Sequence, residues 1–352
     1  MLLSELGEDA FLRELPKRFP ATGESVVLGI GDDAAILDPP AGEHLLLTTD
    51  SLVEGVHFTT RWMPPRFLGR KAVAASASDI AAMGGEPLAV LLSLGVPPES
   101  EVEALWQLVE GVHERARELG MNLVGGNLAL SPGGTLVVDV TVVGATVRKR
   151  ALRRSGARPG NGIYLSGKIG AASTGLKLLE RGAVLAPGGG LIVSESLRGG
   201  PIALAEACIR AHIDPEPRVA LGRELNQRRL ATACIDVSDG LALDLHRLCR
   251  ASGVGARIEE TSLPLSPGLL AWERAWKGEP TLSAVSGGED YELLFTSGSE
   301  DKLDRFRERL DLFVTRIGET TAEENVELVG RDGVVRPLSA KGWDHFGKQK
   351  GG

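Results

Sequence analysis

The sequence predicts a two-domain protein of the α/β (α+β) class. Strand-like apolar runs alternate with amphipathic helical segments through the 352 residues, a pattern typical of layered α/β folds. A polar connector at 148–159, which holds six Lys and Arg residues, separates two such series. We therefore expect an N-terminal domain over residues 1–147 and a C-terminal domain over residues 148–352. This length is sufficient for two separate hydrophobic cores.

The N-terminal half has recognisable helix and strand signals. After Pro97-Pro98, Ser100 is the predicted N-cap of a helix that Gly120 ends, and Glu103 completes a capping box. The apolar residues of this helix recur every three or four positions, which predicts one buried face. The same reasoning predicts an amphipathic helix over Met1–Leu15, strands over Leu45–Thr49, Leu88–Val96 and Leu136–Val147, and a helix over Arg70–Met83.

The C-terminal half begins again with a strand, Gly162–Ser166. This strand and the following Gly167-Lys168 nearly spell a P-loop, but Ile169 stands where Ser or Thr would hold Mg²⁺. A tight strand-to-helix turn is therefore the better interpretation. Residues 183–200 are rich in Gly and Pro and are expected to be irregular. Further predicted elements are helices over Ser173–Arg181, Ile202–Ala211 and Asp239–Ser252 and strands over Ala231–Val237, Leu282–Val285 and Leu293–Thr296.

Composition excludes several functional classes. The net charge of −8 argues against a nucleic-acid partner, which requires a basic face. It does not exclude an anionic substrate, because bound metal ions can reverse the local charge. No run approaches the ~20 apolar residues of a membrane span, and three cysteines without a CxxC pair favour a reducing compartment. We expect a cytoplasmic protein that binds neither nucleic acid nor membrane.

Acidic residues recur where predicted strands run into loops. They are Asp32-Asp33 after Gly29-Ile30-Gly31, Asp50 after Leu45–Thr49, Asp79 in Ser78-Asp79-Ile80, Asp236 and Asp239 around Val237-Ser238, and Glu289-Asp290 after Gly287-Gly288. Burying like charges together is costly unless a cation is present. Hard divalent cations take oxygen ligands and commonly hold phosphates. Together with neighbouring Ser and Thr hydroxyls, these acids predict a metal–phosphate site.

Each acidic motif alone also has a simpler interpretation. Gly29–Ala35 fits a hairpin turn, Thr48-Thr49-Asp50 fits a strand end with a solvated acid, and Asp236–Gly240 fits a helix start capped by Ser238 or Asp239. No GxGxxG follows a strand, and the sequence has no GxSxG, no HExxH and no His spacing suited to a metal. Consequently we predict no nucleophile and no general base.

Seven segments, spread from near the N-terminus to the last dozen residues, form a family pattern. They are Gly-Ile-Gly-Asp-Asp-Ala-Ala (29–35), Thr-Thr-Asp-Ser-Leu-Val-Glu-Gly-Val-His-Phe (48–58), Ser-Asp-Ile-Ala-Ala-Met-Gly (78–84), Arg-Ser-Gly-Ala-Arg-Pro-Gly (154–160), Asp-Val-Ser-Asp-Gly-Leu (236–241), Ser-Gly-Gly-Glu-Asp-Tyr-Glu-Leu (286–293) and Lys-Gly-Trp-Asp-His-Phe (341–346). They resemble the thiamine-monophosphate kinase family. The N-terminal motifs are shared with aminoimidazole-ribotide and selenophosphate synthetases. The segments 286–293 and 341–346 are the ones that narrow the resemblance to the thiamine-monophosphate kinases.

The resemblance implies a function, an assembly and a set of site residues. The implied reaction is ATP- and Mg²⁺-dependent phosphorylation of thiamine monophosphate to thiamine diphosphate by direct in-line transfer. The implied assembly is a homodimer of the aminoimidazole-ribotide synthetase-like fold, in which the N-terminal mixed sheets form a barrel across the dimer axis and a C-terminal α/β domain lies beside each. The resemblance implies that several Mg²⁺ ions are bound by Asp33, Thr48, Thr49, Asp50, Asp79, Asn127, Asp236 and Asp239. It also implies that ATP is contacted by Gly126, Asn127, Arg154 and Ser238, and that thiamine monophosphate is contacted by His57, Glu289 and Trp343.

Three of these positions carry open questions. Asn127 stands where many relatives have Asp, so that metal is expected to bind more weakly or to use another carboxylate. Leu128-Ala129 also replace polar residues usual there. Arg154 is either a bidentate phosphate donor or a solvated connector residue. Trp343 either stacks on a cationic thiazolium or pyrimidine ring or anchors the C-terminal core.

The chemistry of the implied reaction requires no base in the protein. The acceptor is a phosphate with a second pKa near 6 and is already nucleophilic at neutral pH, so catalysis is a matter of positioning and charge neutralisation. Two alternatives remain at this stage: another ATP-dependent synthetase of the superfamily, and a non-catalytic nucleotide- and metal-binding regulator. Selenophosphate synthesis would require a reactive Cys in the N-terminal region, and the first cysteine is Cys208.

Overall fold

The chain forms two compact units. The computed structural model describes all residues except Met1, Gly7, 21–25, 31–34, Pro132, 186–190, 311–312 and 344–352. The first unit comprises Met1–Ala151 and a later segment, Glu216–Glu224. The second comprises Leu152–Pro215 and Leu225–Gly352. Among the described helices, none combines the length and the apolar character that a membrane crossing requires.

The first unit is a mixed sheet with helices. Its elements are α1 (Leu3–Leu6), α2 (Glu8–Arg18), β1 (Val26–Leu28), β2 (Ile36–Leu37), β3 (Glu43–Val53), α3 (Pro65–Ala82), β4 (Glu86–Val96), α4 (Val102–Glu118), β5 (Asn122–Leu130) and β6 (Val137–Val147). Strands β3, β6, β4 and β5 form one sheet in that order. β6 is antiparallel to β3 and to β4, whereas β4 and β5 are parallel. This arrangement confirms the predicted mixed N-terminal sheet.

Close packing fixes α3 in the first unit. Most of α3 is buried, and most of its buried residues are Ala or Ser. The Ser76 hydroxyl donates a hydrogen bond of 3.1 Å to the Val140 carbonyl of β6. Helix α4 approaches α3 so closely that a Cβ added to Gly111 of α4 would lie 1.9 Å from the Arg66 carbonyl oxygen of α3. The predicted capping box of α4 is wrong: the cap is Glu101, without a side-chain bond. Ser100 instead belongs to the preceding turn, since its N–H bonds to the Pro97 carbonyl.

The second unit is an α/β layer built on a seven-stranded sheet. Its elements are β7 (Gly162–Ser166), α5 (Ala171–Glu180), β8 (Val184–Leu185), β9 (Leu191–Ile192), α6 (Ile202–Ile213), α7 (Val219–Gln227), β10 (Ala233–Val237), α8 (Leu241–Ser252), β11 (Gly255–Glu259), α9 (Pro267–Trp276), α10 (Pro280–Ser286), β12 (Glu292–Ser297), α11 (Glu300–Leu310), β13 (Val314–Thr321), β14 (Val326–Val329) and β15 (Val335–Pro337). The first residues of α7 belong to the first unit. The order β10-β12-β7-β13-β11-β14-β15 is antiparallel except at β11–β14. The predicted C-terminal α/β architecture is thereby confirmed.

Two local predictions for the second unit are wrong. Leu282–Val285 lies in helix α10 and not in a strand, because a short apolar run fits either element and Pro280 at the first turn favours a helix. Helix α8 begins at Leu241 with Gly240 as its cap and no side-chain capping bond, so neither Ser238 nor Asp239 is the N-cap. The segment 183–200 contains the short hairpin β8–β9 and one 3₁₀ turn.

Candidate functional site

In the first unit, strand β3 and helix α3 bring two predicted metal ligands together. The Thr48 hydroxyl donates a hydrogen bond of 2.5 Å to Asp79 Oδ2. Thr48, Asp79 and Asp50 are all partly buried. Thr49 is on the opposite face of β3 and shares a hydrogen bond of 3.0 Å with Thr141 of β6. Thr48 and Asp79 therefore form an oxygen pair, and Thr49 points away from it because neighbouring strand residues alternate in direction.

Two further side chains lie near the end of β3. Ser51 donates a hydrogen bond to Asp139 of β6, an acid that the motif analysis did not select. The predicted substrate residue His57 accepts a hydrogen bond of 3.0 Å at Nδ1 from the Val53 N–H. An acceptor at Nδ1 places the proton of the neutral ring on Nε2. The turn after β3 thus fixes both the position and the tautomer of His57.

A cavity of about 630 Å³ lies beside the predicted nucleotide residues of the first unit. Gly125, Gly126 and Asn127 of β5 line it together with apolar residues of α2 and β4. Its volume is in the range of small-molecule sites, which are mostly apolar with a few polar groups. Gly126 pairs with Leu92 of β4, and a Cβ at residue 126 would lie 1.8 Å from the Leu92 carbonyl oxygen. Only glycine allows the two strands to pair here.

In the second unit, one cluster of loops brings together five predicted residues. Asp236 is 4% exposed at the end of β10, and the Ser238 carbonyl that follows accepts a hydrogen bond of 2.7 Å from the Glu289 N–H. The Asp239 carbonyl accepts one of 2.9 Å from the Trp343 N–H. The loop after β10 therefore holds both the 286–291 segment and the C-terminal Trp343.

Asp239 belongs to a charged group that the sequence analysis missed. Arg247 Nη1 donates to Asp239 Oδ2 at 2.5 Å and to Asp244 Oδ1 at 2.7 Å. The Asp239 N–H donates to Asp244 Oδ2 at 3.1 Å. Burial raises the pKa of Asp244 to about 6, although Arg247 opposes the shift. The i,i+3 spacing of Asp244 and Arg247 on the predicted helix is the sequence signal from which this ion pair could have been predicted.

Asp290 lies next to the start of helix α5. The Gly170 N–H is 3.0 Å from both carboxylate oxygens of Asp290. Burial raises the pKa of Asp290 to about 8, against the lowering effect of the Gly170 hydrogen bond. The folded protein therefore retains this proton up to a higher pH than the unfolded chain, whose Asp titrates near ~3.9.

We expect a pH-dependent loss of stability that Asp290→Asn removes. Because the folded state binds the extra proton between about pH 4 and 8, the free energy of unfolding falls as pH rises through this window. Between about pH 4 and about pH 8, the free energy of unfolding of the wild type should fall by at least about 1 kcal/mol more than that of Asp290→Asn. Urea unfolding at several pH values measures the difference. Asp332→Asn is the control, since Asp332 is exposed and its pKa is lowered by Arg336; parallel pH profiles for wild type and Asp290→Asn would contradict the prediction.

Three predicted site residues remain, and the structure describes two of them. Arg154 is exposed in the connector, and its carbonyl accepts a hydrogen bond of 3.0 Å from the Ser252 hydroxyl at the end of α8. Asn127 is exposed on β5. Asp33 lies outside the described residues.

The donor atoms of the predicted metal ligands fit Mg²⁺. They are carboxylate, hydroxyl and amide oxygens, which hard divalent cations prefer. Within the ranges that the structure describes, no three Asp, Glu, His or Cys side chains lie close enough together to hold a metal ion. Mg²⁺ is commonly held by one or two carboxylates, with waters and substrate phosphates completing its shell. The pair Thr48–Asp79 and the buried Asp236 are consistent with that mode.

Comparisons with known proteins cover nearly the whole chain. Residues 31–146 match the family model of the AIR synthase related protein N-terminal domain, and residues 158–331 match that of the C-terminal domain. The thiamine-monophosphate kinase of Bacillus subtilis strain 168 is 36% identical over 328 residues, which cover 92% of this chain and 94% of the relative.

Solved structures give the same result. The thiamine-monophosphate kinase of Stenotrophomonas maltophilia K279a matches at 34% identity with a TM-score of 0.75, covering 94% of this chain and 96% of the other. AaThiL complexed with AMPPCP and TMP matches at 32% identity with a TM-score of 0.75, covering 98% and 99% of the two chains.

Proposed function

Because this chain belongs to the thiamine-monophosphate kinase family of AIR synthase-related proteins, we propose that it transfers the γ-phosphoryl group of ATP to thiamine monophosphate. The products are ADP and thiamine diphosphate. The observation that carries the proposal is the full-length similarity to a protein solved with AMPPCP and TMP, an ATP analogue and, in our proposal, thiamine monophosphate.

The proposed chemistry needs positioning groups and no base. The acceptor phosphate is nucleophilic at neutral pH, so the protein has to align two polyanions and offset their charge. The exposed Arg154 donates to an ATP phosphate, and Gly126, Asn127 and Ser238 contribute further nucleotide contacts. His57, Glu289 and Trp343 bind the thiamine monophosphate.

Magnesium completes the proposed site. Mg²⁺, when bound, neutralises the phosphate oxygens and stabilises charge during transfer. We assign Asp33, Thr48, Thr49, Asp50, Asp79 and Asn127 of the first unit, and Asp236 and Asp239 of the second, as ligands of several Mg²⁺ ions. Because the Thr49 side chain points away from the Thr48–Asp79 pair, Thr49 is assigned to a different ion from that pair. The all-oxygen donor set and the buried carboxylate of Asp236 support this assignment. Asn127 contributes no charge and is the weakest of these ligands.

The assembly and location form part of the same proposal. The side chains of Leu45 and Leu47 on β3, the first strand in the order of this sheet, are 50% and 72% exposed. Adjacent exposed apolar side chains on an edge strand are typical of interaction surfaces, which supports a homodimer formed through the first unit. Analytical ultracentrifugation measures the state directly. Three buried cysteines without disulfides support a location in the reducing cytoplasm.

A coupled ADP-release assay tests the proposed function. We expect ADP release that depends on both thiamine monophosphate and Mg²⁺, with thiamine diphosphate identified chromatographically as the product. ATP binding without any release dependent on thiamine monophosphate would instead indicate a non-catalytic regulator. ADP release only with a different acceptor would indicate another synthetase of the superfamily.

We expect Trp343→Ala to raise the KM for thiamine monophosphate by about tenfold or more, because ring stacking is lost. The KM for ATP should change by less than about twofold. The Trp343 backbone contact to Asp239 does not depend on the side chain, so the loop remains in place. Steady-state kinetics with each substrate varied measure the two constants, and Trp343→Phe is the conservative control. Equal increases in both constants would indicate that Trp343 is a structural anchor.

A further inference from the structure

A buried acid on helix α8 holds both the backbone and the side chain of Asp239. Asp244 is fully buried, and its Oδ2 accepts a hydrogen bond of 3.1 Å from the Asp239 N–H. Its other oxygen, Oδ1, accepts one of 2.7 Å from Arg247 Nη1, and the same nitrogen donates to Asp239 Oδ2 at 2.5 Å. Asp239, Asp244 and Arg247 therefore form a closed ring of hydrogen bonds.

The start of α8 explains why an acid lies at residue 244. The first N–H groups of a helix lack partners within the helix, and an acid in the first turn can reach back to satisfy one of them. Gly240, the cap, has no side chain for this purpose. Since the Asp239 carbonyl also accepts a hydrogen bond of 2.9 Å from the Trp343 N–H, the backbone of Asp239 is held on both sides.

The bond from Arg247 to Asp239 indicates a role beyond helix capping. Capping needs only the contact between Asp244 and the Asp239 N–H, whereas the Arg247 bond orients the carboxylate of Asp239. Arg247 also balances the charge of Asp244, so the ring as a whole keeps one negative charge. A carboxylate has about four acceptor positions, and Arg247 engages Oδ2, which leaves Asp239 capacity for a cation.

We propose that Asp244 and Arg247 are positioning residues that fix the Asp239 carboxylate for binding Mg²⁺. They act through Asp239 and are not themselves metal ligands. Outer hydrogen-bond partners commonly orient metal ligands in proteins, and their loss costs about 10- to 100-fold in metal affinity or activity. The inference rests on the proposed function, because it takes Asp239 as a metal ligand.

Arg247→Met separates the positioning role of Arg247 from the effect of its charge. Loss of a nearby positive charge alone would strengthen cation binding, whereas loss of the bond that orients Asp239 would weaken it. We expect calorimetric titration of the nucleotide-free protein with Mn²⁺ to give a Kd about tenfold higher in Arg247→Met. The Mg²⁺ concentration for half-maximal ADP release should rise by a similar factor.

Two further variants test the same ring. Arg247→Lys should keep the Mn²⁺ Kd within about threefold of wild type, because one nitrogen makes both bonds of Arg247 and an ammonium group has several donors. Asp244→Asn should raise the Kd about tenfold. Its amide oxygen can accept from one of the two donors that Asp244 binds, but its NH₂ group faces the other.

Lys177→Met is the matched control in the same unit. Lys177 Nζ is 2.7 Å from Oε1 of the buried Glu273, so this variant also removes a partly exposed cation from a buried acid. Both Met variants should lower the midpoint of thermal unfolding, but Lys177→Met should keep the wild-type Kd for Mn²⁺.

The outcomes separate the inference from the proposed function. Unchanged or tighter Mn²⁺ binding in Arg247→Met, or equal weakening in Lys177→Met, would overturn the positioning role. A wild type that takes up no Mn²⁺ would overturn it as well. Failure of the proposed function has a different signature, because the wild type would then bind Mn²⁺ but show no ADP release dependent on thiamine monophosphate.

Discussion

Asp236→Asn should abolish phosphoryl transfer while leaving the fold intact, with turnover reduced by at least about a thousandfold. Asp236 is 4% exposed on β10, where its register partner is Leu293 of β12. Burying a carboxylate at such a position is costly unless its charge is compensated, which is consistent with the proposed metal role of Asp236. Asn has the same shape but no charge, and therefore weakens the metal without disturbing the strand. The coupled ADP-release assay measures the loss.

Two controls make the Asp236→Asn result interpretable. Asp332→Asn is the same substitution at an exposed acid that pairs with Arg336, and its turnover should equal that of the wild type. Thermal unfolding of Asp236→Asn should show a midpoint no lower than that of the wild type, since the neutral side chain is easier to bury. Isothermal titration with Mn²⁺ should show weaker metal binding. Wild-type turnover in Asp236→Asn would exclude the metal role of this residue, and Asp50→Asn then tests the first unit separately.

Much of the fold follows from local sequence signals. Periodicity and glycine boundaries predicted the region of α4 and strands β4, β6 and β7, and all of these are confirmed. The errors arise where a local rule competes with another interaction. Leu282–Val285 is too short for its apolar character to separate a strand from a helix. Ser100 has the right chemistry for a cap, but its N–H is already engaged in the turn at Pro97.

The candidate-site residues that lie within a family motif could be predicted from the sequence. Family membership, predicted from seven segments, is confirmed by the two matching family models and by the full-length relatives, whereas the roles of individual residues stay predictions. The contact of His212 with Glu289 and the group Asp239–Asp244–Arg247 were not found from sequence. His212 and Glu289 are far apart in the chain, and only the tertiary fold of the second unit brings them within 2.9 Å. A sequence pattern contains no signal for such a contact.

Gly126→Ala should disrupt both the first-unit sheet and nucleotide binding. The added Cβ would lie 1.8 Å from the Leu92 carbonyl oxygen, a separation that no pair of non-bonded atoms adopts. Either β5 moves away from β4, or the loss of pairing distorts the cavity that Gly126 lines with Asn127. We expect the free energy of unfolding to fall by about 3 kcal/mol. We also expect the affinity of the folded protein for ATP to fall at least about tenfold.

Gly125→Ala is the matched control for Gly126→Ala, one residue earlier on the same strand. Its Cβ would lie 3.2 Å from Leu91 Cδ2, the tip of a flexible side chain that can shift by a few tenths of an ångström. Denaturant unfolding and calorimetric titration with ATP should therefore separate the two variants, with Gly125→Ala close to wild type in both measurements. Equal losses would mean that added volume in the cavity, and not the contact with the Leu92 backbone, limits ATP binding. If Gly126→Ala keeps wild-type stability and ATP affinity, then β5 does not need glycine here and the cavity is not the nucleotide site.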